Sequence, residues 1–206
     1  MNTDVGGIEL LSNRHFFFLA LVFILLTSCS SSNKRQADIP IVISQPGQRE
    51  IDVSLVINNV QEEIQMVIPD AYLVFFSYVG ECKELPNLQG EIRLDFAQNT
   101  NSIFGNRTLL ARATVNTIEQ TLDFDVKDET KHYPNLESLS LNGESVQEVA
   151  NLLHAHLFAT NRCVGTVVLT RAGSDSPWRA RCGLPDEVLL ECVEIDPESG
   201  KITDLK

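Results

Sequence analysis

The sequence predicts an α+β protein that is mostly antiparallel β, a sandwich or partly open barrel with one helix packed on it. Three observations carry that expectation. Residues 91–96 and 122–126 alternate strictly between apolar and charged side chains, the mark of strands with one dry and one wet face. Only one stretch combines a helix-start signal with helical periodicity. Nowhere do strand and helix patterns alternate as βαβ units would, which argues against a parallel sheet.

In chain order, residues 39–44 and 51–60 are rich in Val and Ile and flank Pro46-Gly47, so both read as strands, with 64–68 extending the second until Pro69-Asp70 breaks it. Residues 71–79 (Ala-Tyr-Leu-Val-Phe-Phe-Ser-Tyr-Val) are apolar on both faces and predict a central, well-covered strand. In 91–96, Ile92, Leu94 and Phe96 share one face and Glu91, Arg93 and Asp95 the other; 122–126 repeats the scheme, and 108–115 predicts a strand between them. Ser145-Val-Gln-Glu148 has the form of a capping box, in which the hydroxyl and the glutamate satisfy each other's backbone donors. Val146, Val149, Ala150, Leu153 and Leu157 then recur at helical spacing, and Thr160-Asn161 marks an end. Residues 165–171 predict a strand and 176–182 a loop. Residues 187–195 and 201–205 predict a hairpin around Asp196-Pro-Glu-Ser-Gly200. The sum is eight or nine short strands and one helix, with no internal repeat.

The N-terminal region carries a different message. Residues 16–26 form an uninterrupted apolar run of 11, which as a helix spans about 16 Å against a hydrocarbon core of about 30 Å. So short a run near the start fits the apolar region of an export signal. It closes in Leu26-Thr27-Ser28-Cys29, which resembles the lipobox of bacterial lipoproteins. The resemblance covers about 28 residues. It implies cleavage before Cys29 and a diacylglyceryl group on its thiol, with palmitate-type acyl chains as the membrane anchor. It further implies a signal over 1–28, a lipidated tether over 29–38 and one β-rich periplasmic domain over 39–206. Ser30 after the lipidated cysteine resembles cargo sent to the outer membrane, since Asp at that place is associated with retention. Asp4 and Glu9 against Arg14 depart from the usual positive start, and initiation near Leu10 or Leu11 would remove both acids.

Composition narrows the function. The chain carries a net charge of −12, and residues 29–206 alone carry −11. So acidic a surface is repelled by nucleic acid, which is excluded as a partner. With Cys29 lipidated, Cys82, Cys163, Cys182 and Cys192 remain. An even number in an exported chain predicts two disulfides, with three connectivities open. The gaps of 81, 19 and 10 positions lack the close pairs that structural zinc sites use.

No metal site and no cofactor beyond the covalent lipid is expected. His154 and His156 lie about 200° apart on a helix and cannot share an ion. Asp123, Asp125 and Asp128 resemble the start of a calcium loop, but Asp128 stands where such a loop needs Gly and Pro134 where it needs Glu. No nucleophile motif accompanies Ser174 or Ser176. The segment holding Trp178, Arg179 and Arg181 gathers the only tryptophan and two arginines of an acidic chain, and is the candidate partner contact, weighed against a tryptophan that plugs the domain edge. The leading expectation is a non-catalytic, lipid-anchored accessory or assembly component of a cell-envelope complex, facing the periplasm from the outer membrane. The alternatives are a carrier whose sheet encloses an apolar ligand, with 71–79 lining the wall, and a periplasmic enzyme without a recognisable motif.

Overall fold

Nine strands, every neighbouring pair antiparallel, join into one open sheet of order β1-β5-β4-β3-β2-β6-β7-β8-β9. They are β1 (Lys34–Pro40), β2 (Tyr72–Glu81), β3 (Glu91–Ser102), β4 (Gly105–Asn116), β5 (Thr121–Glu129), β6 (Thr166–Ala172), β7 (Trp178–Gly183), β8 (Leu190–Ile195) and β9 (Ile202–Asp204). Two α-helices are described, α1 (Val53–Val67) and α2 (Gly143–Ala159), with a 3₁₀ turn at Cys82–Asn87. This computed structural model describes residues 34–45, 51–102, 105–129, 136–141, 143–184 and 188–205. Among the described residues the architecture is therefore α+β and mostly antiparallel β, as one sheet and not two packed ones.

The alternating strands behave as their pattern requires. Ile92, Leu94 and Phe96 of β3 and Leu122, Phe124 and Val126 of β5 are buried in one core together with the stripes of both helices, so the helices share one face of the sheet. β2 holds the centre between β3 and β6. Near its start Leu73 lies in the helix-covered core, while Val74, an extra residue in the register with β3, is buried outside that core and lines the opposite face.

Three expectations need correction. The strands expected over 51–60 and 64–68 are not formed; Val53–Val67 is helix α1. Their β-branched residues suggested β structure, yet Val53, Val56, Ile57, Val60 and Ile64 recur at helical spacing and are all buried. Asp52 caps the helix by accepting from the Leu55 amide at 3.0 Å, a start signal that was readable in the sequence. Residues 176–182 are largely strand β7, not a loop. Residues 34–38, assigned to a tether, belong to edge strand β1.

The order of elements repeats. A helix followed by a four-stranded meander occurs twice, as α1-β2-β3-β4-β5 and α2-β6-β7-β8-β9, and the first strands of the two units pair antiparallel at the centre. This repeat lies in topology and was not visible as sequence similarity. Helix α2 starts two residues before Ser145, so that serine sits within the first turn. Its other end is as expected: Asn161 takes a left-handed conformation (φ 54°), and the Arg162 amide donates back to the Leu157 carbonyl at 2.7 Å.

Candidate functional site

Strand direction fixes where each feature lies. β1, β2, β4, β7 and β9 run one way, and β3, β5, β6 and β8 the other. Lys34, where β1 begins, is thus at one end of the sheet. The close of β2 and β7 and the opening of β6 and β8 are at the opposite end, and both disulfides gather there.

Cys82 pairs with Cys163, and Cys182 with Cys192. The first bridge ties the end of β2 to the start of β6, where Gly165 (φ 72°) turns the chain so that its carbonyl accepts from the Cys82 amide at 2.9 Å. The second uses a bulge: Arg181 faces Glu191 and Ala180 faces Val193, so Cys192 is the extra residue of β8. Cys192 and Val193 are consequently both buried, against strict alternation.

Trp178 is only 1% exposed, which removes it as a contact residue. As the first residue of β7 it points into the core, edge-on to Phe76 with ring centroids 5.6 Å apart and 79° between planes. The Arg171 guanidinium lies over the indole at 5.4 Å, and burial lowers that group's pKa from its ordinary value. Arg171 also donates to the carbonyls of Ser174 and Ser176, closing the β6–β7 turn. Arg179 and Arg181 alternate to the other face and are exposed, and Arg179 meets Glu194 at 3.5 Å and Glu191 at 4.0 Å.

The disulfide end carries a feature that the sequence did not flag. Val164, Leu184, Val188 and Leu190 are 55%, 44%, 84% and 69% exposed. Three of them, with Leu205 and the Cys182–Cys192 bridge, line a shallow hollow of about 620 Å³. Aliphatic residues beside strands read as core, and only the three-dimensional arrangement shows them facing outward together. Below this hollow, Arg162 reaches Asp204 at 2.7 Å and the Cys192 carbonyl at 3.2 Å, while His156 meets Asp204 at 2.9 Å. His156 thus fastens α2 to β9. His154 stacks on Phe158 instead, so the two histidines are separated as the helix dictates.

A second feature lies on the sheet face away from the helices. A depression of about 370 Å³ is lined by Val74, Phe75, Leu110, Ala111, Leu136 and Ala172. Its remaining lining residues are charged: Arg93, Asp95, Arg112, Asp125 and Lys127. Register builds this ladder, since Phe75, Asp95, Arg112 and Asp125 stand side by side across β2, β3, β4 and β5. Arg93 grips Asp95 with a two-pronged contact of 2.9 and 2.7 Å and lies 5.4 Å from the Phe75 ring centroid. The hydrogen bond to Asp95 raises the Arg93 pKa above its ordinary value. Arg112 reaches Asp95 only at 3.4 Å, and Lys127 reaches Asp125 at 3.4 Å. The sequence showed these charges alternating on single strands but not which of them meet across strands.

Among the described residues, no three His, Cys, Asp or Glu side chains gather as metal ligands. Asp123 accepts from the Asp38 amide and Asp128 pairs with Arg107, so these acids have local partners. The Ser174 hydroxyl donates to the Ser138 carbonyl at 2.8 Å and accepts from the Ser140 amide at 3.1 Å, which fastens residues 138–140 to the β6–β7 turn. Cys29 lies outside the described residues. No family model, curated protein or solved structure matches the chain.

Proposed function

We propose that this chain is a non-catalytic lipoprotein, held by a lipid on Cys29 at the periplasmic face of the outer membrane, and that it is an accessory or assembly component of a cell-envelope complex. The observation that best supports this reading is the exposed aliphatic cluster Val164, Leu184, Val188 and Leu190 at one end of the sheet. Grouped exposed apolar residues around a hollow mark a protein contact.

A photo-crosslinking residue placed at Leu190 in living cells tests this reading. One discrete adduct with an envelope protein is expected from Leu190 and none from Glu198, which lies at the opposite end. Absence of an adduct from Leu190, Leu184 and Val164 alike would refute the docking role.

A second reading, a carrier for an apolar ligand, is favoured by the depression beside Val74 and Phe75. An open sheet whose helix-covered face is filled by side chains leaves the other face as the place for such a ligand.

A further inference from the structure

We propose that the depression on the sheet face away from the helices binds a single-chain amphiphile with an anionic head, its chain over Phe75 and Leu110 and its head on Arg112 and Lys127. This rests on the carrier reading and does not depend on the docking end or on the lipid at Cys29. A volume of about 370 Å³ with a mainly aliphatic and aromatic lining suits one small apolar body, since small-molecule sites begin near 300 Å³. The charges around it are unbalanced. Three cations (Arg93, Arg112, Lys127) face two carboxylates (Asp95, Asp125) in a chain whose net charge is −12. Glu91 also acts on Arg93, so the positive charge that faces an incoming anion is that of Arg112 and Lys127.

The pairing shows which cations are available. Asp95 gives both oxygens to Arg93 at 2.7–2.9 Å, so Arg93 is committed. Arg112 meets Asp95 through Nε alone at 3.4 Å, with its side chain half exposed, and no carboxylate among the described residues meets its two terminal nitrogens. Lys127 is equally exposed and equally loosely paired. Lys127 stands directly across from Leu110, two positions before Arg112 on the same face of β4. The two cations therefore flank the apolar lining instead of crossing it. Carboxylate and phosphate heads share the chemistry these groups recognise, charge-assisted donation to an anionic oxygen.

The test uses the full chain in lipid nanodiscs and three diazirine-tailed C12 probes that differ only in head: carboxylate, phosphate or hydroxyl. Peptides containing Val74-Phe75 and Leu110-Ala111 are mapped after photolysis. The carboxylate or phosphate probe is expected to label them, and the hydroxyl probe about ten-fold less, the loss of one hydrogen bond to a charged group. Preference for one acid over the other would identify the head. Arg112→Gln with Lys127→Gln should bring acid-probe labelling down to the hydroxyl level without altering the disulfides or the melting temperature. Equal labelling by acid and hydroxyl probes would overturn the anionic head while leaving the carrier reading standing. No labelling at these peptides by any probe would reject both. Labelling that appears only after residues 130–135 are replaced by a glycine-serine link would assign the depression to the chain's own segment, and would equally overturn the proposal.

Discussion

Replacing Trp178 with alanine should unfold this protein early, for reasons that can be followed atom by atom. The indole is 1% exposed, meets Phe76 edge to face, and carries the Arg171 guanidinium on its ring. Truncating a fully buried Trp costs about 3–5 kcal/mol, from lost transfer energy and from a cavity that the neighbours close only in part. In a domain of 150–250 residues each kcal/mol moves the melting point about 2–4 °C, so the drop is about 6–20 °C. Arg179, the next residue, supplies the control. Its half-exposed side chain makes only loose ion pairs, and Arg179→Ala should change stability by no more than about 0.5 kcal/mol. Thermal unfolding of the detergent-extracted full chain, followed by circular dichroism, measures both variants. Circular dichroism is needed because Trp178 is the only tryptophan and its loss removes the usual fluorescence signal. In the wild type that signal should resist quenching by acrylamide. A Trp178→Ala protein that melts within about 2 °C of wild type, against the cost expected of a core aromatic, would refute the burial argument.

The other predictions concern covalent, electrostatic and helical ties. Peptide mapping without reduction should recover Cys82–Cys163 and Cys182–Cys192, and any other pairing would contradict the fold. In the chain-entropy model the first bridge, with a separation of 81, contributes about 4.5 kcal/mol, and the second, with a separation of 10, about 2.8 kcal/mol. Double serine variants should therefore lower the urea midpoint in that order, and the reverse order would be inconsistent with it. Hydrogen bonding to His156 holds the Asp204 carboxyl below its ordinary range, assisted by the charges of His156 and Arg162. A depressed carboxylate stabilises the fold above its unfolded pKa, near 4, and loses that contribution as pH falls through the folded value. Asp204→Asn should thus be less stable than wild type at pH 7, with the two converging below pH 4, and a gap that widens on acidification would contradict the sign. Val60→Asp, in the buried stripe of α1, should prevent recovery of folded protein, whereas the same change on an exposed edge strand would be tolerated.

What the sequence could convey depended on whether the information was local. The strands at 91–96 and 122–126 were legible because alternation is a property of neighbouring residues, and the end of α2 was legible from Thr160-Asn161. Helix α1 is hidden in the sequence because its β-branched residues outweigh a helical stripe that Asp52 introduces. Its valines and isoleucines serve a helix because their common face is covered, a tertiary effect that overrides propensity. Two disulfides were expected, but their connectivity depends on β2 and β6 lying side by side, which no local signal shows. The cluster of Trp178 with two arginines suggested a surface, but alternation along β7 divides them, with the ring inside and both guanidinium groups outside. The ladder through Asp95, Arg112 and Asp125 and the aliphatic cluster at the disulfide end are products of register and strand direction. They become visible only once the sheet is assembled.

The functional reading depends most on the anchor, and one measurement addresses it directly. Cells expressing the full chain are fed an alkyne-tagged fatty acid, and the protein is purified and probed for the tag, with Cys29→Ser in parallel. Tagged wild-type protein whose mature chain begins at Cys29 is expected, and an untagged variant that accumulates as uncleaved precursor. Equal tagging of the variant, or a mature wild-type chain that begins elsewhere and carries no lipid, would contradict the anchor.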